Sequence, residues 1–221
     1  MNYKRITLLA GHYGSGKTNI AVNMALELKK AHENTAIADL DIVNPYFRTL
    51  DSKNELEAAG IRLIVSPYAN SSLDIPALPQ DMYAIVDDES MYSIIDVGGD
   101  DRGALALGRL SRMISDENNY DMFLVINKYR PLTPDAASVK EVLDEIEEAG
   151  RLKFTGIINN SNLGAETDAQ CILDSVQFAD EVSELTGLPV VLTSVEEKFM
   201  AELSGKIGNL FPMKLQKRPV D

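Results

Sequence analysis

A single cysteine, Cys171, stands among 221 residues. One thiol excludes an intrachain disulfide and any Cys-x-x-Cys metal or iron–sulfur site within the chain. Long apolar runs are missing too, and none approaches the ~20 residues that a membrane-spanning helix needs. The opening residues, Met1-Asn2-Tyr3-Lys4-Arg5, lead straight into a strand-like run. They carry no apolar signal core and no cleavage site, so the expected location is cytoplasmic. Positive charge is scarce: Lys and Arg total 21 against 34 Asp and Glu, a formal net charge of −13. That balance disfavours nucleic acid and anionic membrane as partners, since both need basic surface. There is no internal repeat, low-complexity tract or linker, and a single domain over residues 1–221 is expected.

What is present alternates. Apolar, β-rich runs occupy 6–10, 35–40, 62–65, 92–97, 122–127, 155–159 and 189–193. Most are continuously apolar, as strands buried on both faces are. Helical patterns fall between them at 18–32, 54–59, 102–115, 135–149, 168–186 and 196–207. Pro134-Asp135 supplies a helix start and Gly150 a stop. The expected fold is α/β: a doubly wound, mostly parallel sheet of about seven strands with helices on both faces. The Pro-bearing stretch 66–80 reads as a surface excursion or a partner-binding loop.

The chemistry begins at Gly11-His12-Tyr13-Gly14-Ser15-Gly16-Lys17-Thr18, a Gly-x-x-x-x-Gly-Lys-Thr sequence. It follows a strand and opens a helix, the context in which such a loop cradles phosphate. Gly11, Gly14 and Gly16 permit the tight turn that aims backbone N–H groups inward. The helix N-terminus adds favourable potential for an anion. Lys17 reaches the β- and γ-phosphates in this arrangement, and the Thr18 hydroxyl is a Mg²⁺ ligand. A chance match in a chain this long is about one in a hundred, and the strand–helix context makes it rarer.

Two acidic strand ends accompany the loop. Tyr92-Ser93-Ile94-Ile95-Asp96 is an apolar run ending in Asp, like a Walker B strand, and continues through Val97-Gly98 to Gly99. Here Asp96 supports Mg²⁺ and the Gly99 N–H touches the γ-phosphate. Ala38-Asp39-Leu40-Asp41 closes the second strand. Ligands in open α/β folds lie beyond the carboxyl ends of strands, so Asp39 and Asp41 also face the phosphates.

The segments "GHYGSGKT", "ADLDIVNP" and "IIDVGGDD", in this order, resemble the MinD/ParA/CobQ class of P-loop ATPases, over nearly the whole chain. The resemblance implies Mg-ATP binding, and a homodimer holding two ATP molecules across the nucleotide face. It makes Asp41 the water-orienting residue and a further Mg²⁺ contact, with Asp39 the first acid of the same motif. Asp96 takes the Walker B role, Asn159 reads the adenine edge, and the loop 193–196 flanks the base. One position departs from the class. A signature Lys, which reaches the partner's nucleotide, is replaced by His12. Imidazole is shorter than a lysine side chain and mostly uncharged at neutral pH. His12 either bridges to a partner's phosphate or merely fills the loop.

Asn127-Lys128-Tyr129-Arg130 approaches the guanine-reading Asn-Lys-x-Asp motif but ends in Arg, which favours ATP over GTP. The resulting expectation is a slow ATPase acting as a switch or accessory factor for an unidentified protein partner. Segments 39–50 and 98–107 are its two switches. The alternatives are an ATP-dependent, carboxylate-activating synthetase or kinase of the CobQ/dethiobiotin-synthetase type, and a nucleotide-holding adaptor. In the synthetase, Tyr46, Arg48, Asp100, Asp101 and Arg102 would be candidate substrate contacts. The apolar and basic tail 210–218 reads as a packed or loose terminus, because Pro212 limits a helix there.

Overall fold

The computed structural model describes residues 3–40, 52–65, 80–99 and 101–216, with the backbone alone at Gln80, Asp101 and Arg102. The chain runs β1 (Ile6–Ala10), α1 (Lys17–Lys29), β2 (Thr35–Asp39), α2 (Lys53–Ala58), β3 (Arg62–Val65), α3 (Gln80–Asp87) and β4 (Tyr92–Asp96). It continues through α4 (Asp101–Gly108), α5 (Ser111–Glu117), β5 (Tyr120–Ile126), α6 (Ala136–Gly150) and β6 (Gly156–Asn159). It closes with α7 (Ala169–Thr186), β7 (Val190–Glu196), α8 (Met200–Leu203) and β8 (Leu210–Met213). The strands form one sheet in the order β3-β2-β4-β1-β5-β6-β7-β8, and every pairing is parallel.

Alternation along the central strands builds two cores. Ile6, Leu8 and Ala10 of β1 face one side with Leu107 of α4, Val139 and Leu143 of α6, and Phe178 and Val182 of α7. Leu9 faces the other side with Ile37, Ile94 and Val125, against Ile20, Met24 and Leu28 of α1. Helices therefore cover both faces, as the continuously apolar strands require.

The expected doubly wound sheet is present, with an eighth strand on one edge. Asn23 on α1 clasps the segment after it, donating to the Lys214 carbonyl and accepting from the Lys214 N–H, both at 2.9 Å. Pro212 sits in that edge strand, where a missing N–H does not break a ladder. Three helical expectations change. The stretch 102–115 is two helices, because a Cβ on Gly108 would lie 2.9 Å from the Ala149 carbonyl and the chain turns at that close approach. The stretch 196–207 shrinks to a 3₁₀ turn and the four residues of α8. There β7 extends to Glu196, and Gly205 at φ 81° lies just past the helix. Helix α3 was not anticipated from the sequence pattern.

At the opposite end of the sheet from the strand termini that carry the motifs, Arg5 is buried. Its guanidinium donates to the carbonyls of Ile85 (2.6 Å), Asp88 (3.0 Å) and Met91 (3.1 Å). It also pairs with both carboxylate oxygens of Glu117. One side chain thus ties α3, α5 and the start of β1 together.

Candidate nucleotide-phosphate site

β1 ends at Ala10 and α1 opens at Lys17, leaving residues 11–16 to turn between them. The turn needs glycine in two places where geometry decides. Gly11 has φ 145°, and a Cβ there would lie 2.5 Å from the Val125 carbonyl oxygen. Gly16 has φ 89°, and a Cβ there would overlap the Asn160 side-chain nitrogen. The Ser15 N–H donates to the His12 carbonyl at 3.2 Å and closes the loop. Gly16 is the N-cap of α1 and offers no side-chain oxygen to it. The helix start is therefore left without a side-chain cap, with its dipole directed at the loop.

Lys17 is only 5% exposed, folded back so that its Nζ donates to the carbonyls of Gly11 (2.9 Å) and His12 (3.2 Å). Thr18 is buried beside it. The Ser15 hydroxyl is buried and has no hydrogen-bond partner among the described residues. A loop that admits no Cβ at Gly11 or Gly16, a lysine folded along it and a buried hydroxyl without a partner among the described residues fit a phosphate chain and its Mg²⁺.

Asp96 ends β4, directly beside β1, in register with Leu9. Asp39 ends β2 and is in register with Asp96. In a parallel pair, residues in register project to the same side, so the two carboxylates lie together at the strand ends. Both are buried, at 1% and 7% exposure. The turn after β4 rests on the phosphate loop: a Cβ on Gly99 would lie 2.6 Å from the Tyr13 nitrogen and 2.9 Å from the Gly11 oxygen. Asp41, Tyr46, Arg48 and Asp100 lie outside the described residues.

His12 is half-buried, and its Nδ1 lies 2.9 Å from the Tyr13 carbonyl oxygen. A carbonyl only accepts, so Nδ1 carries the proton in this bond. The Tyr13 side chain projects outward, 48% exposed.

The residues after β5 and β6 form a polar clasp. Asn159 is fully buried; its Nδ2 donates to the Ser175 hydroxyl (2.9 Å) and its Oδ1 accepts from Ser161 N–H (3.1 Å) and O–H (2.7 Å). The structure thus places the amide of Asn159 inside, fixing the turn at 159–162. Its neighbour reaches the loop: Asn160 Nδ2 donates to the Ser15 carbonyl at 2.6 Å. Ser194, on β7, braces it by donating to Asn160 Oδ1 at 2.6 Å. Asn127 accepts from the N–H groups of Tyr129 (3.0 Å) and Asn162 (3.3 Å), joining the two turns. The Tyr129 hydroxyl donates to the Cys171 carbonyl at 2.7 Å. Burial pushes that phenol up to about 12, with nearby negative charge adding to it, so it remains a donor at any ordinary pH.

Sequence reasoning did not single out Asn160 as a loop support, nor the position of Arg130. Arg130 packs against Gly14, where a Cβ would lie 3.6–3.8 Å from its Nε, Cζ and Cδ. The paired amides Asn159-Asn160 at a strand end were the available signal for the first. The second is a contact across more than a hundred residues that no local pattern encodes.

A family model described as the CobQ/CobB/MinD/ParA nucleotide binding domain matches residues 6–170. Among solved structures, FtsY from Mycoplasma mycoides superimposes with a TM-score of 0.56 at 17% identity, over 89% of this chain and 61% of that one. The cell division protein FtsY from Thermotoga maritima gives 0.54 at 20% identity, over 87% and 62%. The signal recognition particle 54 kDa protein from Aeropyrum pernix, solved in complex with GDP, gives 0.52 at 17% identity, over 87% and 41%. The chain spans about three-fifths of the length of those FtsY structures. At these identities the likeness is one of fold. No curated protein matches the sequence.

Proposed function

The chain belongs to the CobQ/CobB/MinD/ParA nucleotide-binding domain family, and from that premise we propose that it is a slow Mg-ATP-dependent ATPase serving as a switch or accessory factor for another protein. The observation that carries the reading is the loop itself. Its backbone excludes side chains at Gly11 and Gly16, while Lys17 and the buried Ser15 hydroxyl line it. Next to it stand the paired strand ends Asp39 and Asp96.

In this reading the loop N–H groups and the start of α1 hold the phosphate oxygens. Lys17 exchanges its carbonyl acceptors for phosphate oxygens and offsets their charge. Thr18 and Asp96 would hold Mg²⁺, which when bound neutralises charge on the β- and γ-phosphates. Asp41 orients the attacking water, and Asp39 supports that segment. Asn159 acts by holding the 159–162 turn. ATP is assigned over GTP because Arg130 occupies the place of a guanine-reading carboxylate.

The test is a titration of wild type and Lys17→Ala with a fluorescent ATP analogue and Mg²⁺. Loss of at least ~10-fold in affinity is expected in the variant, and equal affinities would sink the assignment. Competition in which GTP displaces the probe better than ATP would overturn the choice of base alone.

A further inference from the structure

Arg130 is a charge without an evident task in the frame. The turn that carries it is fixed: its N–H donates to the Asn127 carbonyl, and its carbonyl accepts from the Thr133 N–H, both at 3.1 Å. Its guanidinium lies on Gly14, in the middle of the phosphate loop. Nε is buried and has no hydrogen-bond partner among the described residues. Among the described residues no acceptor and no carboxylate engages this side chain. A buried donor left unpaired is costly, and that cost is relieved when an anionic oxygen arrives.

His12 sharpens the point. Its Nδ1 proton is given to the Tyr13 carbonyl, so that nitrogen is already engaged within the loop. A guanidinium stays charged at every relevant pH and offers several donors in a fixed fork.

Resting on the nucleotide reading above, we infer that Arg130 is the cis-acting cation of this site. Its guanidinium donates to the terminal phosphates across Gly14 and stabilises the charge that builds during hydrolysis. It does from within the chain what a lysine at position 12 would do from a partner subunit. In that step the water oxygen forms a bond to the γ-phosphorus while the bond to the β,γ-bridging oxygen breaks. The electron pair stays on ADP and the water's proton passes to the released phosphate. Dimerisation is then unnecessary for turnover.

The experiment compares wild type, Arg130→Ala, Arg130→Lys and Lys17→Ala. Each is titrated with Mg-ADP alone and with Mg-ADP plus tetrafluoroaluminate, and single-turnover ATP hydrolysis is followed in parallel. Arg130→Ala should bind Mg-ADP within about threefold of wild type. It should lose ~10²-fold or more for the tetrafluoroaluminate complex and for turnover. Arg130→Lys should recover part of the loss. If Arg130→Ala binds the complex as wild type does, or loses ADP and complex equally, the proposal falls while the nucleotide site stands. If wild type does not bind Mg-ADP, or Lys17→Ala binds it equally well, both fall.

Discussion

Of the helices that start at the carboxyl edge of the sheet, α6 and α7 start differently from α1. α6 opens on Asp135, whose carboxylate accepts from the Ser138 N–H, with the Ser138 hydroxyl completing a capping box. α7 opens on Asp168, which accepts from the Cys171 N–H. α1 opens on Gly16 and has no side-chain cap at all. The two arginines repeat the contrast. Arg5, at the far end, meets three carbonyls and a carboxylate. Arg130, at the near end, keeps a buried donor without a partner among the described residues. The buried guanidinium at the far end is satisfied from within the chain, whereas beside the phosphate loop one helix start and one guanidinium nitrogen are not.

The largest effect should come from breaking the satisfied side. Arg5→Ala would leave the Ile85, Asp88 and Met91 carbonyls and the Glu117 carboxylate without their shared donor. Removing one partner of a buried pair typically costs about 3–5 kcal/mol, read as a lower urea midpoint at unchanged slope. Nucleotide affinity of the folded fraction should stay at the wild-type value, since Arg5 lies at the opposite sheet end. A change in affinity without a change in stability would reverse the contrast between the two ends.

The next effect belongs to the unsatisfied side. Gly16→Ala must hold φ 89° with a methyl group overlapping Asn160. The positive φ alone costs about 1–2 kcal/mol, and the loop must shift further to clear the amide. Mg-ATP affinity should fall by at least ~10-fold, with a smaller stability loss than Arg5→Ala. Isothermal titration and urea melts on the same preparation separate the two quantities.

Asp168→Ala should give the smallest effect, on stability alone. The Cys171 backbone N–H bonded to the Asp168 carboxylate holds its pKa below the ordinary carboxylate value. A depressed folded pKa contributes stability that is fully present above the unfolded value and lost as pH falls through the folded one. The difference between wild type and Asp168→Ala should therefore be complete at pH 7 and vanish in acid, below the usual carboxylate range. A difference that grew as the pH fell would mean that the carboxylate is not the capping species.

The phosphate loop was legible because all its determinants are local: a strand, glycines at fixed offsets, Lys17 and Thr18, then a helix. Asp39 and Asp96 were legible as the polar ends of apolar strands, and parallel pairing then put them in register. Asn160 and Arg130 were not. Their contacts to Ser15 and Gly14 cross more than a hundred residues, and only the sheet order brings them together. The stretch 127–130 was read only as a guanine motif missing its carboxylate; in the structure Asn127 joins two turns and Arg130 adjoins the phosphate loop. The eighth strand was obscured by Pro212, which an edge position tolerates and a central one would not. The long pattern at 102–115 hid a break that depends on how closely Gly108 approaches α6.

Thermal melting with and without Mg-ATP, for wild type, Arg5→Lys and Lys17→Ala, tests the division between the two ends most directly. A ligand bound only by the folded state at 100 times its Kd adds about 2.7 kcal/mol. Wild type and Arg5→Lys should gain the same increment on adding Mg-ATP, although Arg5→Lys starts from a lower Tm. Lys17→Ala should start near wild type and gain almost nothing. An unchanged wild-type Tm with saturating Mg-ATP, or an equal gain in Lys17→Ala, would contradict the assignment of this sheet edge to a nucleotide.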